Sequence, residues 1–263
     1  MESKSHAVTF PVWLWPNVLS LDAPVVAALW QLLFARCFRV SLGLPVVLVL
    51  MATVWLIYSA DRALDAWHGG ASASRHQFYH QHWRLLAPIW AVVILIDIWL
   101  VCHYLSPTQF QRGAFLLCAV IVYFVLVHAG GRNFRAKEMA VGGLFALGAS
   151  LIAWSNLKTP ADAAAVVLFA VLCWVNCAAI ESWETNGRNN TGHLRSITVG
   201  AGLAASALLF LHRPLLGGAE AASAGAFLLL WKVRGRLSCN ALRVLADVAL
   251  LTPIFFLPVA RSV

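Results

Sequence analysis

Charge is what this chain has least of. Only 11% of its 263 residues are Asp, Glu, Lys or Arg, where soluble domains carry about 25%. With 61% of the residues hydrophobic, that shortage excludes a fold in which one core hides the apolar side chains behind a charged surface. It also excludes a separate soluble domain, since no stretch is long and polar enough to make one. The alternating ~10-residue segments of a transmembrane β-barrel are missing, as are internal repeats, low-complexity segments and linkers. The six cysteines form no C-x-x-C pair. Cys173 and Cys177 lie one turn apart on an apolar run, where packing as small hydrophobes is expected over a metal or redox role. Residues 1–20 hold two prolines, two tryptophans and no small-residue cleavage site, so no cleavable signal peptide is expected.

What the chain does have is long apolar runs, over residues 21–38, 42–66, 85–105, 112–130, 137–156, 161–184, 194–211, 213–231 and 238–260. Lipid offers a backbone no hydrogen-bond partners, so spanning segments close their own bonds as helices of ~20 residues. The expectation is an all-α integral membrane protein, a nine-transmembrane-helix bundle forming one domain over residues 1–263. The first run is short and carries Arg36, and Glu220 with several Gly and Ala residues makes the eighth the weakest. Lys and Arg set the orientation. With the N-terminus inside, thirteen of the 19 basic residues fall on the cytoplasmic side and six outside. The +8 net charge follows from this bias and calls for no nucleic-acid partner.

Charges near or inside apolar spans mark a pathway, a site or a buried pair. The second run ends in Tyr58-Ser59-Ala60-Asp61-Arg62-Ala63-Leu64-Asp65. Asp61 and Asp65 are one turn apart, so their carboxylates share a helix face and repel unless a cation joins them. Mg2+ suits such a face, because it takes oxygen ligands and bridges carboxylates to phosphates. The other reading pairs them with Arg62 and a basic loop at a solvated helix end. The sixth run ends in Asn176-Cys177-Ala178-Ala179-Ile180-Glu181-Ser182-Trp183-Glu184. Asn176, Glu181 and Glu184 fall within an arc of about 140°, a second oxygen-rich face on the same side of the bilayer. Arg132, Arg135, Lys137 and Glu138 lie between runs four and five, either as a clamp for a diphosphate or as ordinary positive-inside charge. His76 and His80 are one turn apart in a segment that reads as a transition-metal pair or as an interfacial lid helix. Arg243 and Asp247, again one turn apart, are expected to neutralise each other. Asp22 and Asp97 have no assignment, and Asp97 has no sequence-local partner.

These residues resemble the UbiA superfamily of intramembrane prenyltransferases. Tyr58-x-x-Asp61-Arg62-x-x-Asp65 is similar to the later part of that family's first aspartate-rich motif. Lys137 to Gly148 is similar to its fifth-helix entry, and Asn176–Glu184 sits where the second motif belongs. Two departures stand out: Ile57-Tyr58 replaces the usual Asn-Asp opening, and only Glu184 fills a position of the second Asp-x-x-x-Asp. The resemblance implies nine helices, a prenyl diphosphate donor, an aromatic or lipid acceptor and Mg2+. It implies Asp61 and Asp65 as catalytic residues and, with Glu184, Glu181 and Asn176, as metal ligands. Tyr58, Arg62, Arg135 and Lys137 would hold the diphosphate. The alternative is a non-catalytic protein of this fold that binds isoprenoid lipid or acts in assembly. A transporter would show repeated, interrupted helices with midplane charges, and Asp97 alone fits that.

The charge bias makes a direct prediction. Single cysteines at residues 75 and 158, in a cysteine-free background, label with an impermeant reagent from opposite sides of the membrane. Labelling of both from one side overturns the topology.

Overall fold

The computed structural model describes residues 11–67, 74–129, 137–185 and 191–259, with no strand among them. A 3-10 turn, Val12–Leu14, leads into α1 (Trp15–Val18) and α2 (Asp22–Cys37). Then come α3 (Leu44–Trp67), α4 (Ser74–Tyr104), α5 (Pro107–Ala129) and α6 (Lys137–Ser150), the last continuing as a 3-10 segment, Leu151–Asn156. α7 (Pro160–Glu184), α8 (Thr191–Leu208), α9 (Pro214–Val233), α10 (Cys239–Val248) and α11 (Pro253–Phe256) complete the chain.

By length and composition, seven helical segments can cross a membrane: Leu44–Ala66, Gln81–Tyr104, Pro107–Val127, Lys137–Asn156, Pro160–Glu184, Pro214–Arg236 and Cys239–Phe256. The segments Val12–Val18 and Asp22–Cys37, bent by 73°, make an eighth if they count as one span. Nine spans were expected. The shortfall lies in two places: α2 has only 16 residues, and α8 is interrupted by His193, Arg195, Ser196, Thr198 and three glycines. The last apolar run is also broken, because Pro253 has no N–H to continue a helix and starts α11 afresh. Thr252, at that break, donates to the Ala219 carbonyl at 2.8 Å and lies 2.7 Å from the Ser223 hydroxyl, tying the break to α9.

The core runs through α2, α6, α7 and α9, where Trp30, Phe34, Phe169 and Phe227 are fully enclosed. Trp30 stacks on Phe169 with ring centroids 4.0 Å apart. α4 and α5 instead turn Leu95, Phe115 and Val125 outward, as lipid-facing helices do. Gly217, one of the glycines that dilute α9, has a packing role: a Cβ there would come within 2.5 Å of the Ala205 carbonyl of α8. α7 begins with a full capping box, in which Asp162 N–H reaches Thr159 Oγ1 and Thr159 N–H reaches Asp162 Oδ2. Arg213 Nε completes this end at 2.6 Å from Asp162 Oδ1. Asp97, which has no partner nearby in sequence, accepts from Thr53 Oγ1 of α3 at 2.8 Å. Cys173 lies in the core, and every described cysteine is a free thiol.

The corner between α1 and α2 positions the site below. Ser20 takes φ 58° there and is fully buried, with its hydroxyl 3.0 Å from that of Tyr79. Trp55 Nε1 of α3 donates to the Leu19 carbonyl at 2.9 Å. The lid segment expected before the third run is helical from Ser74, with a non-helical residue at His82, whose ring stacks on Phe78 at 4.5 Å. Side chains 74–77 and 80 lie outside the described residues, so the His76–His80 pair does too.

The close approach of α6 and α7 yields a prediction. A Cβ at Gly142 of α6 would meet the Trp174 backbone nitrogen of α7 at 2.5 Å, while one at the adjacent Gly143 meets nothing within 4 Å. Gly142→Ala therefore destabilises the bundle by ~1–3 kcal/mol, read as a fall in the thermal midpoint of the detergent-purified protein. Gly143→Ala leaves it unchanged.

Candidate functional site

Asp61 and Asp65 stand on the last two turns of α3, Asp61 partly buried and Asp65 exposed. Together with Glu138, at the start of α6, they act electrostatically on the Tyr123 hydroxyl of α5. Asp61 and Glu138 act in the same way on Cys177 of α7. Lys137 Nζ lies 3.1 Å from Glu181 Oε1 and 3.6 Å from Glu138 Oε1, with Lys137 and Glu181 both about half-exposed. Three helices thus bring Asp61, Asp65, Lys137, Glu138 and Glu181 to one end of the bundle, beside Tyr123 of a fourth. Tyr58 lies two turns deeper than Asp65 on the same face of α3, its ring edge-on to Phe145 at 6.2 Å.

The other expected residues go elsewhere. Arg62, one residue on from Asp61 and so about 100° around the helix, is buried and donates through Nη1 to the Asn17 backbone carbonyl. The Val18 carbonyl is 3.4 Å from the same nitrogen. Glu184 accepts from Arg243 Nη2 of α10. This replaces the expected Arg243–Asp247 pair. One-turn spacing puts both residues on one face, but each finds a nearer partner on another helix. Asp247 takes the Asn176 amide on Oδ1 at 3.0 Å and the Asn17 amide on Oδ2 at 3.2 Å. Asn17 Nδ2 also donates to Asp22 Oδ2 at 2.6 Å. Arg132 and Arg135 lie outside the described residues.

Two polar clusters therefore occupy this end. The outer one is open and carboxylate-rich, with Lys137 as its described cation. The inner one joins Asn17, Asp22, Asn176 and Asp247 through side-chain amides, with Arg62 held on the Asn17 backbone carbonyl. Tyr58 faces the inner cluster, since its hydroxyl is within electrostatic reach of Asp247 and Asp22. Tyr79 closes the inner cluster beside Ser20, and burial pushes its phenol above the usual range despite the Ser20 hydrogen bond and nearby Arg62. The outer carboxylates give oxygen-only donors of the kind a hard cation takes when phosphate oxygens complete its shell. Among the described residues no three His, Cys, Asp or Glu side chains converge on one point. Sequence reasoning passed over Asn17 and Tyr123. Asn17 is the one amide in the segment Trp13–Leu19, a signal of its own, whereas nothing local distinguishes Tyr123.

Burial decides which half of the Arg243–Glu184 pair matters more. Side-chain exposure is 6% for Arg243 and 27% for Glu184. Glu184→Gln leaves a guanidinium in the protein without its carboxylate, and lowers stability by ~2–3 kcal/mol. Arg243→Gln leaves a carboxylate that water reaches, and costs about 1 kcal/mol. Thermal midpoints of the two purified variants check the order. No family model matches the chain, and neither do curated proteins or solved structures.

Proposed function

We propose that this chain is a UbiA-like intramembrane prenyltransferase, moving a prenyl group from a prenyl diphosphate to an aromatic or lipid acceptor. One observation carries the reading: Asp61 and Asp65 of α3 meet Lys137 and Glu138 of α6 and Glu181 of α7 at one end of an apolar bundle. In this reading that end and the N-terminus are cytoplasmic. Mg2+ bound to these carboxylates supplies charge neutralisation to a leaving diphosphate. Asp61 and Asp65, which share one helix face, would hold the metal, with Glu181 as a further oxygen donor. Lys137 exchanges Glu181 for a phosphate oxygen, and Arg135 is a second clamp. Tyr58 donates its hydroxyl from the floor of the site. Phe145, half-buried and edge-on to Tyr58 at 6.2 Å, meets the isoprenoid tail and helps keep water from the allylic cation. Arg62 acts through position, holding the Asn17 corner.

A second reading, a non-catalytic protein of this fold that binds isoprenoid lipid or serves in assembly, is favoured by a different observation. Two of the α7 carboxylates already have protein cations, Glu184 from Arg243 and Glu181 from Lys137, so this face is neutralised by the chain itself.

Diphosphate release by detergent-purified protein separates them, measured with and without Mg2+ over a panel of prenyl diphosphates and acceptors. Asp61→Asn and Asp65→Asn each lower turnover ~10²-fold or more, and Glu181→Gln lowers it less. Wild-type turnover in Asp61→Asn rules the chemistry out. No release by the wild type with any donor establishes the second reading.

A further inference from the structure

We infer that Asn17, Asp22, Asn176 and Asp247 form a buried site for one monovalent hard cation, sodium by size and charge, separate from the acidic face of α3. The inference stands apart from the transfer reaction and uses none of its carboxylates.

The four residues come from distant parts of the chain: the α1–α2 corner, the first turn of α2, α7 and α10. Their side chains converge, since Asn17 Nδ2 touches both Asp22 and Asp247, and Asn176 Nδ2 touches the other oxygen of Asp247. Both amides are left half-used. Asn17 Oδ1 and Asn176 Oδ1 are inaccessible to solvent and have no hydrogen-bond partner among the described residues. Asn17 is 3% exposed and Asn176 9%. Buried acceptors are rarely left unsatisfied, and here two such atoms belong to the amides that clasp one pair of carboxyls.

A half-turn of either amide explains the arrangement. With nitrogen inward, the amide satisfies a carboxylate. With oxygen inward, it would repel the carboxylate unless a cation lay between them. The contacts of 3.0 and 3.2 Å are a few tenths of an ångström short of the ~3.4 Å edge between oxygens around a cation bound at ~2.4 Å, and the Asn17–Asp22 contact of 2.6 Å opens by most of an ångström to reach it. Side-chain shifts of this size therefore turn a hydrogen-bonded cluster into two carboxylates and two amide oxygens around an ion. Oxygen-only ligands select hard cations.

Charge selects a monovalent one. Arg62 lies against the cluster, bonded to the Asn17 carbonyl and acting electrostatically on Asp247. Two carboxylates and one guanidinium leave a single negative charge, and buried net charge is expensive. Arg243, one turn away on α10, pairs with Glu184. The remaining groups facing the cluster, Tyr58, Tyr79 and Cys177, are uncharged phenols and a thiol. One sodium ion closes the balance, whereas a divalent ion overshoots it. The competing solution is one proton shared by Asp22 and Asp247. Filled with sodium, the site ties the α1–α2 corner to α7 and α10.

The experiment is thermal unfolding of the detergent-purified full chain in NaCl against KCl and choline chloride at equal ionic strength, with divalent ions chelated, alongside equilibrium binding of radioactive sodium. Sodium raises the unfolding midpoint saturably, potassium and choline do not, and about one sodium binds per chain. Asp247→Asn abolishes the response, and Asn17→Ala weakens the apparent affinity roughly 10-fold or more. Asp61→Asn keeps it in full, so an inactive transferase with an intact sodium response tells failure of one reading from failure of the other. The wild-type arm alone decides the matter if Asp247→Asn does not fold. Equal midpoints in sodium and potassium overturn the site. So does stability that follows pH with no sodium dependence, which identifies the shared proton. A response to Mg2+ or Ca2+ in place of sodium overturns the charge assignment.

Discussion

The hydrogen bond from Arg62 to the backbone carbonyl of Asn17 organises one end of this bundle. A guanidinium cannot lose its charge in a protein, so once Arg62 is buried on α3 something must come to it. Here that is the carbonyl end of the short α1 helix, whose last carbonyls have no partners within so brief an element. Bringing α1 to Arg62 forces the chain to turn back sharply into α2, which it does through Ser20 in the left-handed region, a conformation that costs a non-glycine residue about 1–2 kcal/mol. The Ser20–Tyr79 and Trp55–Leu19 hydrogen bonds hold the corner against α3 and α4.

The same corner divides the polar residues in two. Asn17 faces inward and gathers Asp22, Asn176 and Asp247, so these leave the open acidic face to Asp61, Asp65, Glu138 and Glu181. An apolar bundle has few polar groups to spend, and several of the buried ones find a partner on another helix. Arg243 finds Glu184, Asp247 finds Asn176, and Asp97 finds Thr53. The outer face keeps its carboxylates near Tyr123 and Lys137, where the proposed transfer would place its cation and diphosphate. The proposed chemistry needs this segregation, because the metal-binding carboxylates must stay reachable while the structural ones are neutralised inside.

At the opposite end the chain closes itself without a reactive group. Asp162 caps α7 and receives Arg213, the Asn156 amide donates to the Phe38 carbonyl at 2.8 Å, and Arg36 donates to the Leu257 carbonyl. Every polar group in that set is answered by a helix end, which marks it as a clamp on the loops. The contrast with the half-used amides of Asn17 and Asn176 is the reason the inner cluster, and not this one, reads as a ligand site.

Membrane helices and the shared face of Asp61 and Asp65 were legible from sequence, because both depend only on local period and composition: 100° per residue and an unbroken apolar run need no tertiary information. The number of spans was less so, since α8 and the broken run at Pro253 sit at the margin where hydropathy alone cannot separate a crossing from a packed helix. The pairing of Arg243 with Asp247 was the natural reading of one-turn spacing, and it failed because ion pairs in a low-dielectric interior go to the nearest partner in space, here Glu184 59 positions away. Asn17 stood out as a lone amide in an apolar stretch, but its partner could not be read for the same reason, since Asp247 lies 230 positions on. Sequence by itself determined which stretches are helical and where charge is too costly to be idle. Only the tertiary structure decided which charges meet, because that is set by helix packing and by a corner at Ser20 whose geometry no local pattern announces.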